Sequence, residues 1–274
     1  AIGQRLGAER FYDYLEDFGF LETTGIDMQG EAGSTVWSRD FFTGPYGEAS
    51  LATASFGQRF NVTPIQLITA ASAVINGGHL MQPYVLESIT DADGNVLQST
   101  EPTERRQVIS EATSEKCRTI LEGVVNGGTG KNAYQAGYRI GGKTGSSETL
   151  EDDHTIVSFL GFAPADDPQV VVLIAFDNPK PVSPGSNYTA GGYYISGGVM
   201  GATRAGELLA NILDYMGVEK QYTAEELSGA DVLAPSVVGL SAADAKAKAE
   251  AAGLTVRTVG SGETVTDQIP IQGA

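Results

Sequence analysis

The 274-residue sequence predicts a mixed α/β chain, and three observations carry that prediction. Apolar residues recur at helical spacing in several segments bounded by capping residues and glycines. Two apolar runs of strand length, His154–Phe162 and Gln169–Phe176, flank the polar stretch Pro164-Ala165-Asp166-Asp167-Pro168, the pattern of an antiparallel hairpin. The composition, 41% hydrophobic and 19% charged, supports a packed core.

Taken in order, Phe11, Tyr14, Leu15 and Phe18 mark a first helix that Gly19 stops. Residues 20–60 show little periodicity and read as loop and short turns on a surface near a site. Trp37, Phe41, Phe42 and Tyr46 within them suit either a groove wall or a small core under the loop. Thr63-Pro64 supplies an N-cap and a first-turn proline for a helix that ends at Asn76-Gly77-Gly78, with His79 as a turn residue. Val85, Ile89 and Val96 around Asp93-Gly94 suggest a hairpin within 83–99. Ser110 caps a helix through Cys117, Ile120, Leu121 and Val124, which Gly127-Gly128 ends; Cys117 is expected to be a buried thiol. Gly201–Met216 is amphipathic. In the tail, Ser241-Ala242-Ala243-Asp244 opens a helix to Gly253, and Leu254–Val259 follows as an expected strand.

The net charge of −17 speaks against a phosphate-backbone binder, whose affinity needs a basic face, so no nucleic-acid partner is expected, while a local basic site stays open. The longest apolar run, Val170–Phe176, falls far short of the roughly 20 residues of a membrane span. One cysteine and two histidines give no disulfide and no Cys- or His-rich metal site. Glu151-Asp152-Asp153 is expected to be a solvated loop rather than a cation site, and His154 a structural or solvent-facing residue. Ala1 and the final Pro270–Ala274 both stand in mid-pattern, so the sequence is expected to be a piece of a longer polypeptide.

Gly137–Thr144 satisfies the phosphate-loop expression G-x-x-x-x-G-K-[ST], and Asp177 ends an apolar run downstream. That motif requires a buried strand before the first glycine and a helix after the Lys-Thr. Lys131–Ala136 is no buried strand, Gly145 disfavours a helix, and Glu148, Glu151, Asp152 and Asp153 would repel a triphosphate. The same Lys143-Thr144-Gly145 is also the third signature of penicillin-binding proteins and serine β-lactamases. Around it stand Gly127-Gly128-Thr129-Gly130-Lys131, Gly137-Tyr138 and Ser158–Pro164, and earlier Gly57-Gln58, Thr63-Pro64-Ile65-Gln66 and Asn76-Gly77-Gly78. Together these closely resemble the class B penicillin-binding protein transpeptidases over residues 1–218. Ala234–Ser241, Ala251-Ala252-Gly253-Leu254 and Gly260-Ser261-Gly262 resemble a PASTA module.

The resemblance implies an antiparallel sheet flanked by helices, entered partway through. Residues 1–218 would be the C-terminal part of a transpeptidase domain, 219–233 a linker and 234–274 a partial PASTA module lacking its closing strand. It implies acyl transfer on D-Ala-D-Ala stem peptides, inhibition by β-lactams, no cofactor, and a parent protein anchored in the cell membrane with its catalytic domain outside. Other cell-wall synthesis or division proteins are implied partners. By resemblance, Lys143 supplies a positive charge near the substrate carboxylate, Thr144 donates its hydroxyl to it, and Gly145 leaves room for the substrate. The backbone N–H of Ser146 is one oxyanion-hole donor. None of the lysines has serine three residues before it, and no asparagine has serine two residues before it. The nucleophile and the proton shuttle of the family are therefore absent from these residues, and the chain alone is expected to be inactive. A non-catalytic wall-binding or interaction piece, and the phosphate-loop NTPase, remain as alternatives.

Overall fold

Three antiparallel strands organise the larger of two units in the computed structural model, which describes residues 1–148, 154–224, 226 and 234–268. The units are Ala1–Gln221 and Tyr222–Ala274. Gln221 closes the first, its N–H donating to the Gly137 carbonyl at 2.8 Å.

The N-terminal helices are α1 (Ile2–Leu6) and α2 (Ala8–Asp17), separated at Gly7, where φ is +85°. Residues 20–60 are less irregular than the sequence suggests: they hold α3 (Arg39–Thr43) and α4 (Gly47–Ala54). Five and eight residues of small and mixed character are too short to show a period, which is why they read as loop. Phe42 from α3 is fully buried against Tyr12, Leu15 and Leu51, with Trp37, Phe11 and Tyr12 rings 5.6–5.8 Å from its own. The aromatic run is thus a small core at Phe42 and Trp37, while Phe41 and Tyr46 are exposed. Arg39 ties α3 to α2, donating to Asp13 and Glu16 at 2.8 and 2.9 Å and lying over the Tyr12 ring.

Helix α5 (Pro64–Ile75) begins as the sequence requires. Thr63 Oγ1 accepts from the Gln66 N–H, and Gln66 Oε1 accepts from the Thr63 N–H at 2.9 Å. Gln66 also donates to the Glu22 carbonyl at 2.7 Å. Thr63→Ala is expected to destabilise the unit by about 1 kcal/mol, read from urea unfolding. The turn after α5 lies at Gly77 and Gly78, both at positive φ. His79 is therefore the first residue of β1 (His79–Gln82), not a turn residue. Strand β1 pairs with β4 (Thr103–Gln107) and encloses the hairpin of β2 (Ser88–Thr90) and β3 (Val96–Ser99).

Asp27 anchors the entry to that hairpin. Its carboxylate accepts from the backbone N–H groups of Val85 and Leu86, both at 2.8 Å. These bonds, that of Leu86 first, hold its pKa below the ordinary carboxylate value. The charged form is favoured in the folded chain, so the stability it contributes is complete above the unfolded value of about 3.9 and is lost as pH falls through the lower folded value. Asp27→Asn is expected to flatten this acid limb in urea midpoints measured from about pH 5 down to about pH 2.

Ser110 caps α6 (Glu111–Asn126) as expected. The buried Ser114 on this helix donates to the Val74 carbonyl at 2.7 Å and accepts from the Gly77 N–H at 3.0 Å. Cys117 is half-buried rather than buried, because Ile120 beside it faces solvent. The main sheet has the order β5 (Gly141–Glu148), β6 (Thr155–Ala163), β7 (Val170–Asp177). Phe159 and Phe162, three residues apart on β6, point to opposite faces. Phe159 packs with Ala202, Ala205, Leu209 and Leu213 of α7 (Ala202–Met216). Phe162 packs with Ile75 of α5 and Leu121 of α6. The sheet is thus covered on both faces by helices.

In the second unit, Ser241 caps α8 (Ala242–Ala251). The expected strand Leu254–Val259 is not formed; its residues are irregular, with Val259 84% exposed. A strand needs a neighbour to receive its backbone bonds, and the nearest pairing is the isolated bridge between Ser241 and Thr264. An open cleft of about 600 Å³ lies between α8 and this segment, lined by Ala245, Ala249, Leu254 and Val265. Most of the expected linker, and Glu151-Asp152-Asp153, lie outside the described residues.

Candidate active site

Lys143, Thr144, Gly145 and Ser146 occupy consecutive positions of β5, so the strand's alternation divides them between two faces. The helix required by the phosphate-loop reading does not exist: β5 runs straight through Lys143-Thr144, and a 3₁₀ turn, Lys131–Ala133, stands where that reading needs a strand. Without a helix N-terminus behind it, the lysine has no phosphate cradle beside it, and the NTPase reading is set aside.

Only one edge of β5 is paired among the described residues: Lys143 faces Leu160, Thr144 faces Phe159 and Gly145 faces Ser158 across to β6. Tight packing fixes the strand's start. A Cβ at Gly141 would stand 2.3 Å from the Phe162 ring, and one at Gly142 would stand 2.4 Å from the Phe159 ring. Both positions must therefore be glycine for β5 to lie this close to the core. Further along, a Cβ at Gly145 would meet Ser158 Oγ at 2.5 Å.

The Lys143 side chain is exposed, and its Nζ donates to the Thr144 carbonyl at 2.6 Å. An ammonium has three N–H donors, so this bond does not exhaust it. Thr144 Oγ1 lies 3.1 Å from Thr129 Oγ1 in the glycine-rich loop after α6. Ser146 Oγ accepts from the Gly197 N–H at 3.4 Å. Gly197 opens a π-helical turn, Gly197–Gly201, capped by Ser196 and continuing into α7. Asn132 Nδ2 donates to the Gly198 carbonyl at 2.8 Å. Two segments remote in sequence, 129–132 and 196–198, thus brace one face of the Lys-Thr-Gly strand. Gly127–Lys131 carries part of the resemblance but no role in it, and the glycine pair Gly197-Gly198 is the sequence's only signal for the second segment.

His154 lies near the far end of the same sheet, where its Nε2 is 2.5 Å from Asp177 Oδ1. It is a structural partner of β7, away from the Lys-Thr-Gly positions. Among the described residues no cluster of three or more metal-ligating side chains exists.

The family described as penicillin binding protein transpeptidase domain matches residues 1–196, and the PASTA domain family matches residues 232–274. Stage V sporulation protein D of Bacillus subtilis is 39% identical over 285 residues, covering 99% of this chain and 41% of that protein. Penicillin-binding protein PbpB of Mycolicibacterium smegmatis is 32% identical over 199 residues, covering 68% of this chain and 30% of that one. The crystal structure of penicillin binding protein 3 from Mycobacterium tuberculosis, complexed with ampicillin, superposes with a TM-score of 0.67 at 27% identity, covering 81% of this chain and 49% of that one. The chain spans less than half the length of each.

Proposed function

Given that the chain belongs to the penicillin-binding protein transpeptidase family, we propose that it forms the Lys-Thr-Gly wall of a D,D-transpeptidase site that binds stem peptides and β-lactams. The observation that carries this reading is β5 itself: it ends the sheet order β5-β6-β7 among the described residues, with an exposed ammonium at Lys143 and no side chain at Gly145. An extended peptide can add to such an edge through main-chain bonds.

In this scheme a serine outside these residues attacks the carbonyl of the D-Ala-D-Ala amide. The C–N bond breaks, D-Ala leaves with a proton, and the resulting ester passes its acyl group to an amine of a neighbouring stem peptide. Lys143 meets the terminal carboxylate of the substrate. Thr144 donates its hydroxyl to the same carboxylate while Thr129 holds its oxygen from behind. The Ser146 N–H is one donor to the oxyanion that develops on the attacked carbonyl. With neither Ser-x-x-Lys nor Ser-x-Asn in the sequence, the 274 residues alone are not acylated. The parent protein would be held at the cell membrane with this region outside; among the described residues no helix is long and apolar enough to cross a membrane.

Backbone amide shifts on adding a D-Ala-D-Ala-terminated peptide test this reading. The expected shifts fall on 143–146 and diminish in Lys143→Ala. Shifts confined to 234–268, independent of Lys143, would favour the wall-binding alternative that the PASTA match supports.

A further inference from the structure

Although 19% of the chain's residues are charged, no charged residue occurs from Pro181 to Thr203, between Lys180 and Arg204. Within this stretch three tyrosines face solvent: Tyr188, Tyr193 and Tyr194 are 51%, 48% and 43% exposed. Their backbone is fixed. Tyr188 and Tyr194 form a bridge, Ile195 N–H donates to the Asn187 carbonyl at 2.8 Å, and Thr189 N–H donates to the Tyr193 carbonyl at 2.9 Å. The rings are fixed too: those of Tyr188 and Tyr194 meet edge to face at 5.3 Å, and Arg204 lies 5.9 Å from the Tyr193 ring centroid. Tyr194 stands three residues before Gly197, whose N–H reaches Ser146. That separation is at most about 11 Å of chain.

We infer that this segment binds an uncharged sugar chain, the glycan to which the stem peptide is attached; the inference rests on the reading of β5 as the peptide site. Pre-set aromatic rings offer flat apolar faces, which suit the C–H face of a pyranose. Asn187 offers its side-chain amide and Thr189 its O–H, the Thr189 oxygen already accepting from the Tyr193 N–H at 3.2 Å, while Ser186 is bonded to Tyr188. The segment itself carries no charge, and the Arg204 guanidinium beside Tyr193 is paired with Glu207 at 2.9 Å. Tyrosine, serine, glycine and asparagine also serve protein recognition. A stable protein interface, however, needs about 800 Å² per partner, and the exposed rings of this segment are confined to the short stretch Tyr188–Tyr194.

The test titrates the 274-residue chain with N-acetylglucosamine hexamer, followed by amide shifts. Saturable binding is expected, centred on 186–196. Tyr188→Ala and Tyr194→Ala should each weaken it at least about fivefold. Tyr193→Phe and Tyr194→Phe should retain it, since the ring rather than the hydroxyl makes the contact and the conservative change spares the fold. Absence of saturable binding, or equal affinity in Tyr194→Ala, overturns the inference. So does self-association that Tyr194→Ala abolishes without any sugar binding, which assigns the patch to a protein interface. A D-Ala-D-Ala-terminated peptide titrated in parallel separates the two readings. Peptide binding without sugar binding overturns the sugar site alone. Tyrosine-dependent sugar binding without peptide binding upholds the sugar site and removes the reading of β5.

Discussion

Lys143→Ala is expected to slow β-lactam acylation at least about a hundredfold in a polypeptide that joins this chain to the family's nucleophile segment. Removing one preorganised electrostatic group that meets charge in the transition state costs on the order of 10²–10³ in rate. Lys143 is exposed on β5, and its local bond is to its own strand's carbonyl at 2.6 Å. The loss should appear in the second-order acylation rate while the urea midpoint stays within experimental error, because an exposed lysine contributes little packing. An equal fall in stability and acylation would assign Lys143 a structural role instead.

Gly197→Ala is expected to destabilise the larger unit by about 3 kcal/mol, the upper range for overpacking. A Cβ there would stand 2.0 Å from the Ser158 carbonyl oxygen and 2.5 Å from that of Gly145. Both are backbone atoms of the paired strands β5 and β6, so neither can swing aside as a side chain would. The π-helical turn must retreat, stretching the bonds from Gly197 to Ser146 and from Asn132 to Gly198. Gly201 at the other end of the turn is also confined, though less tightly, with a Cβ 2.9 Å from Phe159. Gly123 in α6 has nothing within 4 Å of its Cβ position. Gly123→Ala should instead stabilise the chain by up to about 1 kcal/mol. Urea midpoints of the two variants, moving in opposite directions, check the pair.

What could be read from the sequence was local. Thr63-Pro64, Ser110 and Ser241 announce helices because a side-chain oxygen capping a backbone N–H needs only neighbours along the chain. The pairing of β6 with β7 was equally plain from its apolar runs and short polar turn. Helices α3 and α4 escaped because they are too short to show a period and are held by contacts with α2. Strands β1 and β4 escaped because four and five residues of mixed polarity, paired across more than twenty positions, carry no alternation of their own. The tail shows the reverse error: Leu254–Val259 has strand composition but, among the described residues, no strand to receive its bonds. At the site, resemblance singled out Lys143–Ser146. The Thr129, Asn132 and Gly197 contacts that brace them depend on chain separated by 15 to 66 residues.

The central claim is that these residues supply the Lys-Thr-Gly wall of a penicillin-binding site while the nucleophile lies in another segment. Intact mass after incubation with a labelled β-lactam tests it most directly. The account predicts no adduct on the 274-residue chain alone, and one adduct per chain when the same residues are joined to a segment carrying Ser-x-x-Lys and Ser-x-Asn. A stoichiometric adduct on the 274 residues alone, or none on the joined chain, would contradict it.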